Sequence, residues 1–227
     1  VRGSHHLLGY KCLPSYHPAA CLRQYEWVPI LTFDLKKAAT EGKTKDIVIP
    51  CRDLVVNKTA AEIADACRDL QQRKIPISID IEGYVDAMSC ISISDRPNYS
   101  FIVPFAKNDG SSYWPSQEEE TIVWQALSKL LADSSVPKVL QNSLYDRFVL
   151  TFSYGCHVAN TWDDTMLKHH ELYCELEKSL AFQASLYTAE PFYKSDRKSQ
   201  DQDTFYRYCC KDSAVTLEIN QKLEGIL

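Results

Sequence analysis

The amino-acid sequence predicts an α/β domain built on a mixed sheet. Three strand-like runs, IPISIDIE (75–82), AMSCISIS (87–94) and SFIVPF (100–105), follow one another across short turns, the pattern of an antiparallel meander. Helical and strand-like stretches then alternate, and a long helical stretch at about residues 203–224 closes the chain. Strands first and alternation afterwards place helices against a sheet that mixes antiparallel and parallel pairs.

From the N-terminus, residues 13–35 read LPSYHPAACLRQYEWVPILTFDL, after which composition shifts to the polar KKAATEGKTKD, which reads as a linker. A boundary near Gly42 divides the chain into residues 1–42 and a domain at 43–227. In TAAEIADACRDLQQ, Ile63, Ala66, Cys67 and Leu70 follow helical spacing, and Thr59 or Asn57 is placed to cap the start. Pro104 confines the third strand of the meander to an edge, or marks its end. In EEETIVWQALSKLLADS, Ile122, Val123, Ala126, Leu127, Leu130 and Leu131 share one face, and the acidic residues sit in the first turn, where the helix dipole favours them. PKVLQN reads as a short buried strand entering the helix LYDRFVLTFSYG, which Gly155 can end. TWDDTMLKHHELY has Asp163 or Asp164 as helix cap, SLAFQASLY is helical, and KSDRKSQDQD is a polar loop before the last helix.

Bulk composition narrows the function. The 227 residues, 45% apolar and 24% charged, suffice for one large or two small domains with a real core. The sequence has no apolar run of membrane-spanning length and no secretory signal pattern, so a soluble, cytoplasmic protein without a membrane partner is expected. The nine cysteines form no C-x-x-C pair and read as reduced thiols rather than zinc ligands. A net charge of −5 argues against a generally basic nucleic-acid-binding surface, yet clustered carboxylates that recruit divalent metals lower net charge by themselves.

The charges inside ISIDIEGYVD need a reason. In a strand, Ile77, Ile79 and Ile81 share one face while Ser78, Asp80 and Glu82 share the other. Two carboxylates side by side repel unless a cation lies between them, and oxygen ligands suit magnesium or manganese; a solvated outer face is the simpler alternative. Asn142, Tyr145 and Asp146 stand at a strand-to-helix junction, and Tyr208 and Asp212, four apart in YCCKD, project from one helical face. Each of these alone is weak; Asp146 would serve as a first-turn helix acid and Tyr208 as a packed aromatic.

The ordered set D-x-E, then N-x-x-Y-D, then Y-x-x-x-D resembles the motif series of DnaQ-like exonucleases of the DEDDy type. From about Ile47 to Leu227 the chain is similar to the 3′-to-5′ proofreading exonuclease domain of family A DNA polymerases, with WDDTML and SLAFQASLYTAEPFYK as supporting text. The resemblance implies a ribonuclease H-like fold, three antiparallel strands followed by parallel ones, with helices on both faces. It implies two divalent ions, Mg2+ or Mn2+, held by Asp80, Glu82, Asp146 and Asp212 for phosphodiester hydrolysis at DNA 3′ ends, with Tyr208 orienting the attacking water. The expected partners are single-stranded DNA or a frayed primer 3′ end and a polymerase domain downstream; a viral replication complex is the alternative location to the cytoplasm at large. Tyr84 is a candidate for base stacking, and Asn142 and Lys194, with Arg197 and Lys198, for substrate contacts. Gly83 departs from the pattern, since many relatives carry Thr or Ser there. His169 and His170 lack metal-type spacing and read as core or surface histidines. An RNase D-like RNA 3′ exonuclease would share the same five residues; PFYK favours DNA. A catalytically silent nucleic-acid-binding module is the alternative of another class.

PSYHPAACLR, with VRG before it and FDLKKA after it, resembles the late motif of family 4 uracil-DNA glycosylases, which would put His17 at the base-contacting position; a plain loop histidine is the alternative. The earlier glycosylase motifs are missing from this sequence, so residues 1–42 are expected to be a remnant without glycosylase activity, and the tail also favours DNA as substrate.

Overall fold

The computed structural model describes residues 2–227; Val1, the start of the VRG stretch, lies outside the described residues. A six-stranded sheet runs in the order β3-β6-β5-β4-β7-β8. Its strands are β3 (Asp53–Val55), β4 (Ile77–Tyr84), β5 (Ala87–Arg96), β6 (Tyr99–Pro104), β7 (Lys138–Leu140) and β8 (Thr161–Asp164); a separate hairpin pairs β1 (His5–Leu7) with β2 (Tyr10–Cys12). β4, β5 and β6 form the antiparallel meander, while β4–β7, β7–β8 and β3–β6 are parallel. The helices are α1 (Pro18–Cys21), α2 (Val28–Glu41), α3 (Ala60–Arg73), α4 (Gln117–Ala132), α5 (Ser143–Tyr154), α6 (Thr165–Leu172), α7 (Leu180–Tyr187) and α8 (Gln202–Glu224).

The two sheet faces differ by residue size. Ile77, Ile79, Ile81, Ile91, Ile93, Phe101 and Val103 pack with α3 and α4 into one core cluster. The opposite face is lined by small residues around Ile102: Ser92 Oγ donates to the Cys209 carbonyl at 2.8 Å, and Ser100 and Ser213 hydroxyls meet at 2.8 Å. Small side chains let α8 lie close against the sheet, as interior packing requires. The carboxylate face of β4 is therefore covered by α8, and the solvated-face alternative does not hold.

Several local expectations met the structure directly. Thr59, rather than Asn57, caps α3 in a capping box with Glu62. Two expectations are corrected. β6 is an internal strand because the three-residue β3, too short to show alternation, pairs with its outer side; Pro104 marks the end of β6. Residues 36–41, read as linker, form the last turns of α2, because Phe33, Lys37 and Glu41 recur at helical spacing and face the rest of the chain. Phe33 meets Tyr187 edge-on at 5.5 Å, Lys37 Nζ donates to the Thr188 carbonyl at 2.9 Å, and Arg2 pairs with the buried Asp34 at 2.5 Å. His17 caps α1, its Nδ1 accepting from the Ala19 N–H at 3.1 Å. Among the described residues no helix is long and apolar enough to cross a membrane.

Candidate active site

Strand β4 and helix α8 bring together residues 132 positions apart in sequence. Oxygens of Asp80, Glu82 and Asp212 lie within 4.8 Å of one another. The alternation of β4 sends both of its acids toward α8, and the four-residue spacing on α8 sets Tyr208 beside Asp212. Asp146, in the first turn of α5, is buried next to this group, and its Oδ1 accepts from the Ile81 N–H at 3.2 Å.

The start of α5 is held from another strand. Asn142 takes the left-handed conformation (φ 63°) that asparagine tolerates, and its side chain makes no cap. Asp164, at the end of β8, accepts from the Asn142 and Ser143 N–H groups at 3.1 and 2.7 Å, and also caps α6 through Met166 at 2.9 Å. One carboxylate thus serves two helix starts and positions Asp146. Asp163 instead pairs with Lys168 at 2.7 Å.

Burial and like charge dominate the electrostatics. Burial, then the charges of Asp212, Asp146 and Glu82, push the Asp80 carboxyl well above its ordinary range, and its Oδ2 is buried with no hydrogen-bond partner. Burial also raises Glu82, against the pull of Arg197, and lifts Asp146 to about 7. Burial, reinforced by Asp212 and Glu82, holds the Tyr208 phenol far above its usual value, so it stays protonated. An all-oxygen donor set with an unpartnered buried carboxylate oxygen fits a hard divalent cation such as Mg2+ or Mn2+.

The other candidates divide. Lys194 and Arg197, expected near substrate phosphates, lie on the carboxylates themselves: Lys194 Nζ donates to Asp212 Oδ1 and Oδ2 at 2.7 and 2.6 Å, and Arg197 to Glu82 at 3.0 Å. Lys198 ends the same 3-10 turn, Lys194–Lys198. Tyr84 ends β4 and is exposed. His169 is a core histidine bonded to Tyr187 and the Glu177 carbonyl, and His170 is exposed. Tyr193 escaped sequence reasoning; buried, it donates to Asp212 Oδ1 at 2.6 Å. Only its place in PFYK pointed to it.

Gly83 has a conformational reason. The β4–β5 register shifts between Glu82 and Gly83, and Gly83 has φ 133°. A Cβ there would stand 2.5 Å from the Ala87 carbonyl oxygen and 2.7 Å from the Ser89 nitrogen, both backbone atoms. The bulge that turns the strand just after Glu82 thus requires glycine. Gly83→Thr is expected to destabilise the fold by at least about 1–3 kcal/mol from backbone strain alone. Urea denaturation checks this, and an unchanged midpoint would contradict it.

A family model described as 3′-5′ exonuclease matches residues 54–227. No curated protein sequence gives a match. Solved structures of similar fold include the EXO domain of Aedes aegypti Nibbler (17% identity, TM-score 0.58, 76% of this chain and 87% of that one). Trypanosoma brucei RNase D in complex with RNA U12 is another (14%, 0.59, 77% and 63%). A third is the POL domain of Pol1 from M. smegmatis in complex with DNA primer-template and dNTP (16%, 0.52, 77%), of which this chain spans 28%. At such identities the likeness is one of fold.

Proposed function

The chain belongs to the 3′-5′ exonuclease family, and from that premise we propose that it removes nucleotides from DNA 3′ ends as the proofreading part of a larger DNA polymerase. The observation that carries the reading is the meeting of Asp80, Glu82 and Asp212 within 4.8 Å, beside Asp146 and Tyr208. Asp80, Glu82, Asp146 and Asp212 would hold two divalent ions. Bound Mg2+ or Mn2+ supplies Lewis acidity toward the scissile phosphate and the leaving 3′ oxygen. Tyr208, kept neutral by its surroundings, orients the attacking water through its hydroxyl and is no general base. Tyr84, exposed two residues after Glu82, is the proposed stacking surface for a terminal base.

DNA is favoured over RNA by the polymerase-like PFYK and by the glycosylase-like text of residues 1–42, which precede the proposed exonuclease domain at 43–227. An RNA substrate is the second reading, since RNase D shares the fold. Digestion of 5′-labelled single strands in Mg2+ or Mn2+ separates the two: DNA is expected to shorten stepwise from its 3′ end, and RNA digestion at an equal or higher rate would overturn the preference. A reducing location, the cytoplasm or a viral replication complex, suits nine cysteines that form no C-x-x-C pair.

The raised carboxyl of Asp146 gives a pH dependence. A group whose pKa rises on folding stabilises the fold below its unfolded value, about 4, and that contribution is lost as pH rises through about 7. In EDTA the melting temperature is therefore expected to fall between pH 5 and pH 8, and less steeply in Asp146→Asn. A flat or rising profile in the wild type would contradict the assignment.

A further inference from the structure

The 3-10 turn Lys194–Lys198 sets Lys194 and Arg197 three residues apart, the spacing at which side chains of such a turn eclipse. Both reach into the carboxylate group. Lys194 Nζ, besides its bonds of 2.7 and 2.6 Å to the two Asp212 oxygens, lies 3.2 Å from the Tyr208 hydroxyl and 5.0 Å from the centre of its ring. Arg197 holds Glu82 Oε2 at 3.0 Å.

Asp212 has few lone pairs left to give. Its Oδ1 already accepts from Tyr193 at 2.6 Å and from Lys194, and its Oδ2 accepts from Lys194 again. The Tyr193 bond is buried and fixed by packing; the Lys194 ammonium is at the end of a flexible side chain that is 22% exposed. A divalent cation and this ammonium compete for the same oxygens and repel each other across the same few ångströms.

We infer that Lys194, seconded by Arg197, is a tethered competitor for the metal: it leaves Asp212 as a divalent ion binds, so the turn sets the metal affinity of the site. The inference rests on the exonuclease reading above. While bound to Asp212, Nζ already lies 5.0 Å from the centre of the Tyr208 ring and 5.2 Å from that of Tyr193, which Lys211 also approaches at 4.9 Å, so the Tyr208 ring holds part of the ammonium's stabilisation independently of the Asp212 bonds. Arg197 is the weaker competitor, because its side chain is largely exposed and makes one bond to Glu82.

Calorimetric titration of the full chain with Mn2+ tests this without reading activity. Lys194→Met is expected to bind Mn2+ on the order of tenfold more tightly than wild type, through release of Asp212 and loss of one repelling charge. Arg197→Met is expected to shift the affinity less in the same direction, and Asp80→Ala with Glu82→Ala to abolish binding. Equal or weaker binding by Lys194→Met, with wild-type binding intact, would overturn the competitor and leave the exonuclease reading standing. Absence of Mn2+ binding in the wild type would overturn both.

Lys194→Met leaves a buried carboxylate short of a partner and can fail to fold without metal, so a second measurement uses the wild type alone. Lysine acylation by an amine-reactive acetyl ester, read by mass spectrometry, is expected to rise several-fold at Lys194 on adding Mn2+, relative to the exposed Lys43. Unchanged or reduced labelling of Lys194 would show that the ammonium stays on Asp212 and would refute the inference.

Discussion

Exchanging Asp80 and Glu82 together for alanine is expected to cut 3′-end digestion by about 10³-fold or more, while the metal-free fold keeps or gains stability. The activity loss follows from removing two of the carboxylates that would hold the ions. The stability gain is the distinguishing part. Asp80 carries a buried oxygen with no partner and faces the charges of Asp212, Asp146 and Glu82, so its ionised form opposes folding at neutral pH. A core carboxylate kept for structure would behave in the opposite way. Digestion of a 5′-labelled strand in Mg2+ and thermal melting in EDTA check the two halves. Wild-type digestion by the double variant would refute the site, and a large drop in melting temperature would refute the electrostatic account.

The largest stability effect is expected at Arg52. Its Nε donates to Glu190 at 2.9 Å, its Nη2 to Glu218 at 2.6 Å, and its Nη1 to the Pro97 carbonyl. Arg52 and Glu190 are 3% and 1% exposed at the side chain, so Arg52→Met strands Glu190 in the interior with Lys211, 3.3 Å away, as its remaining ion-pair partner. Breaking a buried pair from one side costs about 3–5 kcal/mol. Arg68, paired with Asp65 in the open on α3, is the control: its loss is expected to cost no more than about 1 kcal/mol. Denaturant midpoints of the two variants separate these effects, and a cost at Arg52 as small as that at Arg68 would count against the buried cluster. Glu190 lies three residues before Tyr193, so the same substitution is expected to loosen the support of Asp212.

Much of this was legible along the chain because it depends on local period. Alternation in β4 assigned Ile77, Ile79 and Ile81 to a core and Asp80 and Glu82 to the other side, and a helical spacing of four set Tyr208 with Asp212. Those regularities arise within one element, from backbone geometry alone. The order of the three motifs then pointed to the family.

What stayed hidden are contacts between elements. β3 is too short to carry a pattern, and residues 36–41 look like a linker until their positions against α7 make them helix. That Asp164 caps two helices, that Gly83 sits in a bulge, and that Tyr193 and Lys194 both seize Asp212 depend on how strands register and how closely α8 meets the sheet. Sequence by itself specified which side chains face the same way; packing across more than a hundred residues decided which of them touch, because non-local distances follow from the fit of whole surfaces rather than from any repeat in the chain.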